Sequence, residues 1–168
     1  YAVSGIRSEG LDLFLISKCA FMVGTGSGLE NVATLFRKPQ VFLNLVEVRF
    51  LPGYAYNSIV IFRKFKLNGE ILSLQTIFDR GYDKYSFTSQ FERANIELIK
   101  NTKEEINAVL WEMHSLLNGS WESNDEDERL QNLFRSHWPD EPFRGKLNAK
   151  IGADFLRSTP KLLGEESP

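Results

Sequence analysis

Ala20-Phe21-Met22-Val23-Gly24-Thr25-Gly26-Ser27-Gly28-Leu29-Glu30-Asn31-Val32-Ala33 decides how the rest of the chain is read. A short apolar run ends in a loop with glycine at every second position. Apolar residues then recur at Leu29, Val32, Ala33 and Phe36. A run of four apolar residues between turn signals reads as a strand covered on both faces. The recurrence at three and four residues reads as a helix, which Lys38-Pro39 ends. Val41-Phe42-Leu43-Asn44-Leu45 supplies a second covered strand. Strand, glycine loop, helix, strand is the order of a parallel α/β sheet. The expected fold is therefore α/β, a Rossmann-like parallel sheet flanked by helices.

Outward from this core, residues 8–18 read as a helix with Leu11, Phe14 and Leu15 on one face. Residues 58–62 read either as a strand or as a buried loop, and Asn68-Gly69 as a turn. Short helices are expected over 73–78 and 88–95. Ile96-Glu97-Leu98-Ile99 is expected to be a third parallel strand beside 20–23 and 41–45. Thr102-Lys103-Glu104-Glu105 has capping-box spacing, and Ile106, Val109, Leu110, Met113, Leu116 and Leu117 form one stripe up to Gly119. A charged helix over 125–138 packs through Leu130, Leu133 and Phe134. A last short helix is expected over 151–156. Residues 1–163 form one domain and 164–168 a frayed tail.

The 168 residues suffice for one domain with a real core. Hydrophobic residues at 42% and charged residues at 25% fit a globular chain, and a net charge of −2 offers no global field for nucleic acid. Arg63-Lys64-Phe65-Lys66 reads as a solvated basic face. The single cysteine, Cys19, excludes an internal disulfide and a cysteine-rich zinc site. No run approaches the ~18 apolar residues of a membrane helix. Residues 1–7 lack a start Met and a signal-peptide layout, so they read as the interior of a longer protein. A cytoplasmic location is expected, with the inner membrane surface as an alternative site within it.

The loop carries the chemistry. A helix start offers unpaired amides and the positive end of a dipole, and glycines let a phosphate approach the backbone. Thr25, Gly26, Ser27 and Gly28 are the candidate phosphate contacts. Glu30 and Asn31, in the first helical turn, are candidate acceptors for sugar hydroxyls. For Glu30 the alternative is a carboxylate that merely stabilises the helix dipole. For the loop it is a tight turn with a Ser or Thr cap. The loop lacks the lysine of a P-loop and the spacing of the dinucleotide fingerprint, which disfavours ATP and NAD. His114 and His137 are far apart and read as structural, and no metal-ligand spacing is present. The acidic run 122–128 reads as a capped helix start. Gly26-Ser27-Gly28 does not fit a serine-hydrolase elbow. No catalytic residue is identified.

Phe14 to Leu29, with Leu35-Phe36-Arg37-Lys38-Pro39, resembles a segment of bacterial glycosyltransferases of surface-polysaccharide type. Leu117-Asn118-Gly119-Ser120-Trp121 is similar too, as are Ile151-Gly152-Ala153-Asp154-Phe155-Leu156 and Pro160-Lys161-Leu162-Leu163. The resemblance implies the C-terminal half of a two-domain, GT-B type transferase, with its opening strands missing. It implies a nucleoside diphosphate sugar as donor substrate, bound at Gly24 to Gly28 without a metal or other cofactor. The implied partners are a glycan or lipid-linked acceptor and an N-terminal domain that holds it, often with the general base. A nucleotide-sugar epimerase and a non-catalytic ligand-binding domain share this fold and stay open as readings.

Overall fold

A computed structural model describes residues 3–51, 57–139 and 147–165. Helix α1 (Glu9–Lys18) leads to strand β1 (Met22–Gly24), helix α2 (Gly28–Leu35) and strand β2 (Gln40–Leu45). Strand β3 (Ser58–Phe62) follows, then strands β4 (Lys64–Leu67) and β5 (Glu70–Ile71) and helices α3 (Leu74–Asp79) and α4 (Thr88–Arg93). Strand β6 (Ile96–Ile99), helices α5 (Lys103–Leu117) and α6 (Asp125–Ser136), strand β7 (Lys150–Ile151) and helix α7 (Ala153–Ser158) complete the order.

The main sheet is parallel throughout, in the order β1-β2-β3-β7. Its central strand β3 is buried along its whole length, and Phe62 packs edge-on against Phe155 at 5.2 Å. Parallel strands covered on both faces are uniformly apolar, and Ser58-Ile59-Val60-Ile61-Phe62 meets that rule closely. The third parallel strand is thus β3 and not residues 96–99. Those residues pair antiparallel with β4 in a second sheet, β5-β4-β6. Glu97 stands exposed in the middle of β6 and bridges to Lys66 at 3.6 Å, as an alternating, half-covered strand requires. Asn68 and Gly69 both take positive φ (51° and 89°) and close the β4–β5 hairpin as a two-residue turn.

Side-chain amides do the work of backbone at two places. Gln131 of α6 accepts from the Ile151 amide at 3.2 Å and donates to the Ile151 carbonyl, so it lines the outer edge of β7 as a further strand would. Residue 151, expected in a helix, is held in the sheet this way, and α7 starts only at Ala153. Asn44 and Asn101 exchange bonds, each side-chain oxygen accepting the other's backbone amide at 2.7 Å. Asn101 also donates to the Phe62 carbonyl at 2.9 Å, which ties the ends of β2 and β3 to the start of α5.

In α1 only Ile16 is buried, while Phe14 is 55% exposed and Leu15 is also exposed. Glu165, placed in a frayed tail, is held by Arg129 at 2.6 and 3.1 Å; residues 166–168 lie outside the described residues. The acidic run does cap a helix: Asn124 and Asp127 bond reciprocally at the start of α6, and Asp127 also pairs with Arg157.

Candidate functional site

The glycine loop leaves the carboxyl end of β1 and opens α2, as its sequence requires. Ligands of open parallel sheets sit at this edge. Thr25, Gly26, Ser27 and Gly28 are all exposed, as are Leu29 and Asn31. Among the described residues the amides of Gly28 and Leu29 have no protein acceptor, so two outward donors remain at the helix start.

Glu30 lies elsewhere than expected. Its residue is only 3% exposed, and its carboxylate folds back under the loop. One oxygen accepts the Gly26 amide at 3.0 Å and the other accepts the Ser27 hydroxyl at 2.5 Å. Glu30 is therefore turned away from any ligand and occupies donors that were expected to face the cleft. Burial pushes its pKa up, but the Ser27 hydroxyl and the backbone amides of Ser27, Glu30 and Gly26 outweigh this and hold it below the ordinary carboxylate range. The carboxylate is an internal anion at the helix start.

This arrangement explains the glycine spacing. A Cβ on Gly24 would stand 1.8 Å from the Glu30 carboxylate, so Gly24 is the floor of the Glu30 pocket. Gly26 has φ +88°, and a Cβ there would also press on Leu45 at 3.0 Å. Gly28 has neither constraint and faces open space. Gly24 and Gly26 thus have two separate structural reasons, and Gly28 has none.

Next along the same edge come the ends of β2 and β3. Leu45 lies against Gly26, and the Arg63 amide donates to the Leu45 carbonyl at 2.9 Å. Of the basic stretch after β3, Lys64 pairs with the buried Glu105 and Lys66 with Glu97. Among the described residues Arg63 makes no ion pair, although its Nε is shielded from water. Reading residues 63–66 as one solvated face missed this difference. Glu105 also accepts the Thr102 amide at 2.9 Å, completing the capping box expected at α5.

A second feature had no warning in the α5 stripe. Glu112 is buried, and its carboxylate accepts the Ala153 amide at 2.8 Å. Burial pushes its pKa up to about 7 against that hydrogen bond and the nearby Lys150; Asp127 adds to the rise. His114 is exposed and bonds Asn118 at 2.9 Å. A cavity of about 300 Å³ opens beside His137, Asp79 and Lys84, and no residue of the glycine loop lines it. Among the described residues, no three His, Cys, Asp or Glu side chains gather as metal ligands, and no helix is long and apolar enough to cross a membrane. Comparison with known protein families, with curated proteins and with solved structures finds no match.

Proposed function

We propose that the chain is the donor-binding part of a GT-B type glycosyltransferase, holding a nucleoside diphosphate sugar against the carboxyl edge of its parallel sheet. The observation that carries this reading is the position of the loop: it leaves β1 at that edge and opens α2 with the Gly28 and Leu29 amides unpaired. Two amides and the positive end of a helix dipole favour negative charge. They would stabilise the diphosphate as the sugar leaves it. Thr25 adds an exposed hydroxyl, and Asn31 an exposed amide one turn on. Glu30 sets the shape of the loop and contacts no sugar.

The acceptor and the general base belong to another body in this reading. Its support is the apolar surface at the β1 end. Phe14 is 55% exposed in α1 and Leu35 82% in α2, the helices before and after β1 in sequence, and no described strand pairs the outer edge of β1. The test is a thermal-shift panel of nucleoside diphosphates and their sugar conjugates. A ligand that binds the folded state alone raises the melting temperature, by an amount that grows with ligand concentration. One nucleoside diphosphate, with or without its sugar, is expected to do so. A flat response across the panel at millimolar ligand would return the loop to a tight turn capped by its own glutamate.

A further inference from the structure

The cavity beside His137 carries charges that the proposed function leaves unused. Two segments wall it: one side of α3 with the turn that follows, and the end of α6 with the residues after it. Phe78 and Asp79 come three and four residues after Gln75, so the three share one side of α3. Gly81 then ends the helix at φ +68°, in the left-handed region that favours glycine, and its amide donates to the Phe78 carbonyl at 3.0 Å. The chain turns back there, which brings Asp83 and Lys84 to the same cavity. The aromatic part of the lining is anchored in the core. Phe78 and Trp138 meet edge to face at 5.9 Å, and Trp138 stacks on the buried Phe134 at 6.4 Å. A volume of about 300 Å³ with a few polar groups beside apolar rings is at the small end of ligand sites.

Charges of both signs stand on this lining without meeting. Asp79 accepts the Gln75 amide at 2.8 Å and has no ion pair among the described residues. Lys84 has neither an ion pair nor a hydrogen bond among them. Both residues are exposed, so neither needs a protein partner for the fold. Asp83 adds a second carboxylate to the lining and is only 2% exposed. A ligand with one charge meets the residue of like sign as well as its partner. A ligand carrying both charges can place each against its opposite. Aromatic rings near carboxylates suit the ammonium end and the apolar part of such a molecule.

We propose that this cavity binds a small zwitterion of amino-acid size, its ammonium held by Asp79 and its carboxylate by Lys84, with Phe78 and Trp138 against its apolar part. Asp83 favours the ammonium through its field. The inference is independent of the nucleotide reading, since no residue of the glycine loop lines this cavity.

The test is calorimetric titration of the full chain with L-alanine and L-phenylalanine, and with ethylamine and propionate, which are alanine without its carboxylate and without its ammonium. Wild type, Asp79→Asn and Lys84→Met are compared, with each melting temperature measured without ligand. At least one amino acid should bind wild type tenfold or more tightly than either single-charge probe. Each substitution should weaken that binding at least fivefold at an unchanged melting temperature, because both side chains are exposed and Asn keeps an acceptor for Gln75. Should Asp79→Asn melt lower, Lys84→Met decides alone. Ethylamine binding as tightly as L-alanine, with loss in Asp79→Asn only, would overturn the zwitterion in favour of a plain cation site. Equal amino-acid affinity in wild type and Lys84→Met would place the ligand elsewhere and overturn the proposal. No binding of any probe at millimolar concentration would make the cavity a packing gap. None of these outcomes alters the response to nucleoside diphosphates, which tests the glycine loop separately.

Discussion

Gly24 and Glu30 form one unit. The carboxylate fits under the loop only where position 24 has no side chain. Gly24→Ala should therefore expel Glu30 and cost about 1–3 kcal/mol, from the clash and the lost bonds to Gly26 and Ser27. Glu30→Ala should cost about 1 kcal/mol. The double variant should cost clearly less than the two together, because the added methyl then enters the space that Glu30 left. Urea denaturation of all four chains measures this, and strict additivity would show that the two do not compete for one space. Glu112 makes a prediction of its own. Its pKa is about 7 in the fold against 4.5 in the unfolded chain. Between those values the folded state holds a proton that the unfolded state has released, so stability falls as pH rises through that window. The full cost, roughly 3 kcal/mol, is present above pH 7. Glu112→Gln keeps an acceptor for the Ala153 amide and cannot ionise. Its stability advantage over wild type should grow from pH 5 to pH 8, and parallel melting curves of the two across that range would contradict the assignment.

At the scale of elements, pieces with local signatures could be read directly and pieces defined by their partners could not. The Thr102-x-x-Glu105 spacing marks the start of α5, and both of its reciprocal bonds form. The same spacing recurs as Ser27-x-x-Glu30 and announces the inward turn of Glu30, a signal overlooked beside the glycines. An apolar run reports burial and not the identity of the neighbour, which is why β6 was assigned to the parallel sheet. The exposed Glu97 within it was the available sign of a half-covered, antiparallel strand. Strand β7 has two residues and leaves no pattern; Gln131, far from it in sequence, defines its outer edge. The Asn44–Asn101 exchange is likewise invisible in sequence, since its members are 57 residues apart. It joins the two central strands to α5, so Asn101→Ala should leave the Asn44 amide and the Phe62 carbonyl unpaired and cost about 2–4 kcal/mol. A loss under about 0.5 kcal/mol in chemical denaturation would show that this joint carries little of the fold.

At the scale of the whole molecule, three segments follow the carboxyl ends of neighbouring parallel strands, the edge at which the proposed function places the ligand: the loop with the start of α2 after β1, the turn after β2, and Arg63 after β3. Sequence located the loop but not its company, because strand order determines which turns become neighbours. The geometry of the loop selects the variant that tests it. At Gly26, φ +88° and contact with Leu45 mean that a valine would strain the fold as well as the site. Gly28 has ordinary backbone geometry, and a Cβ there meets nothing within 4 Å. Leucine at that position suits the first turn of a helix and should not lower the melting temperature. It would fill the space before the free amides of Gly28 and Leu29. The deciding measurement is calorimetric titration of wild type and Gly28→Leu with the nucleoside diphosphate that most raises the melting temperature. The account predicts binding to wild type and at least a tenfold loss in Gly28→Leu at an unchanged melting temperature; equal affinity in both would place the ligand away from this loop and contradict the account.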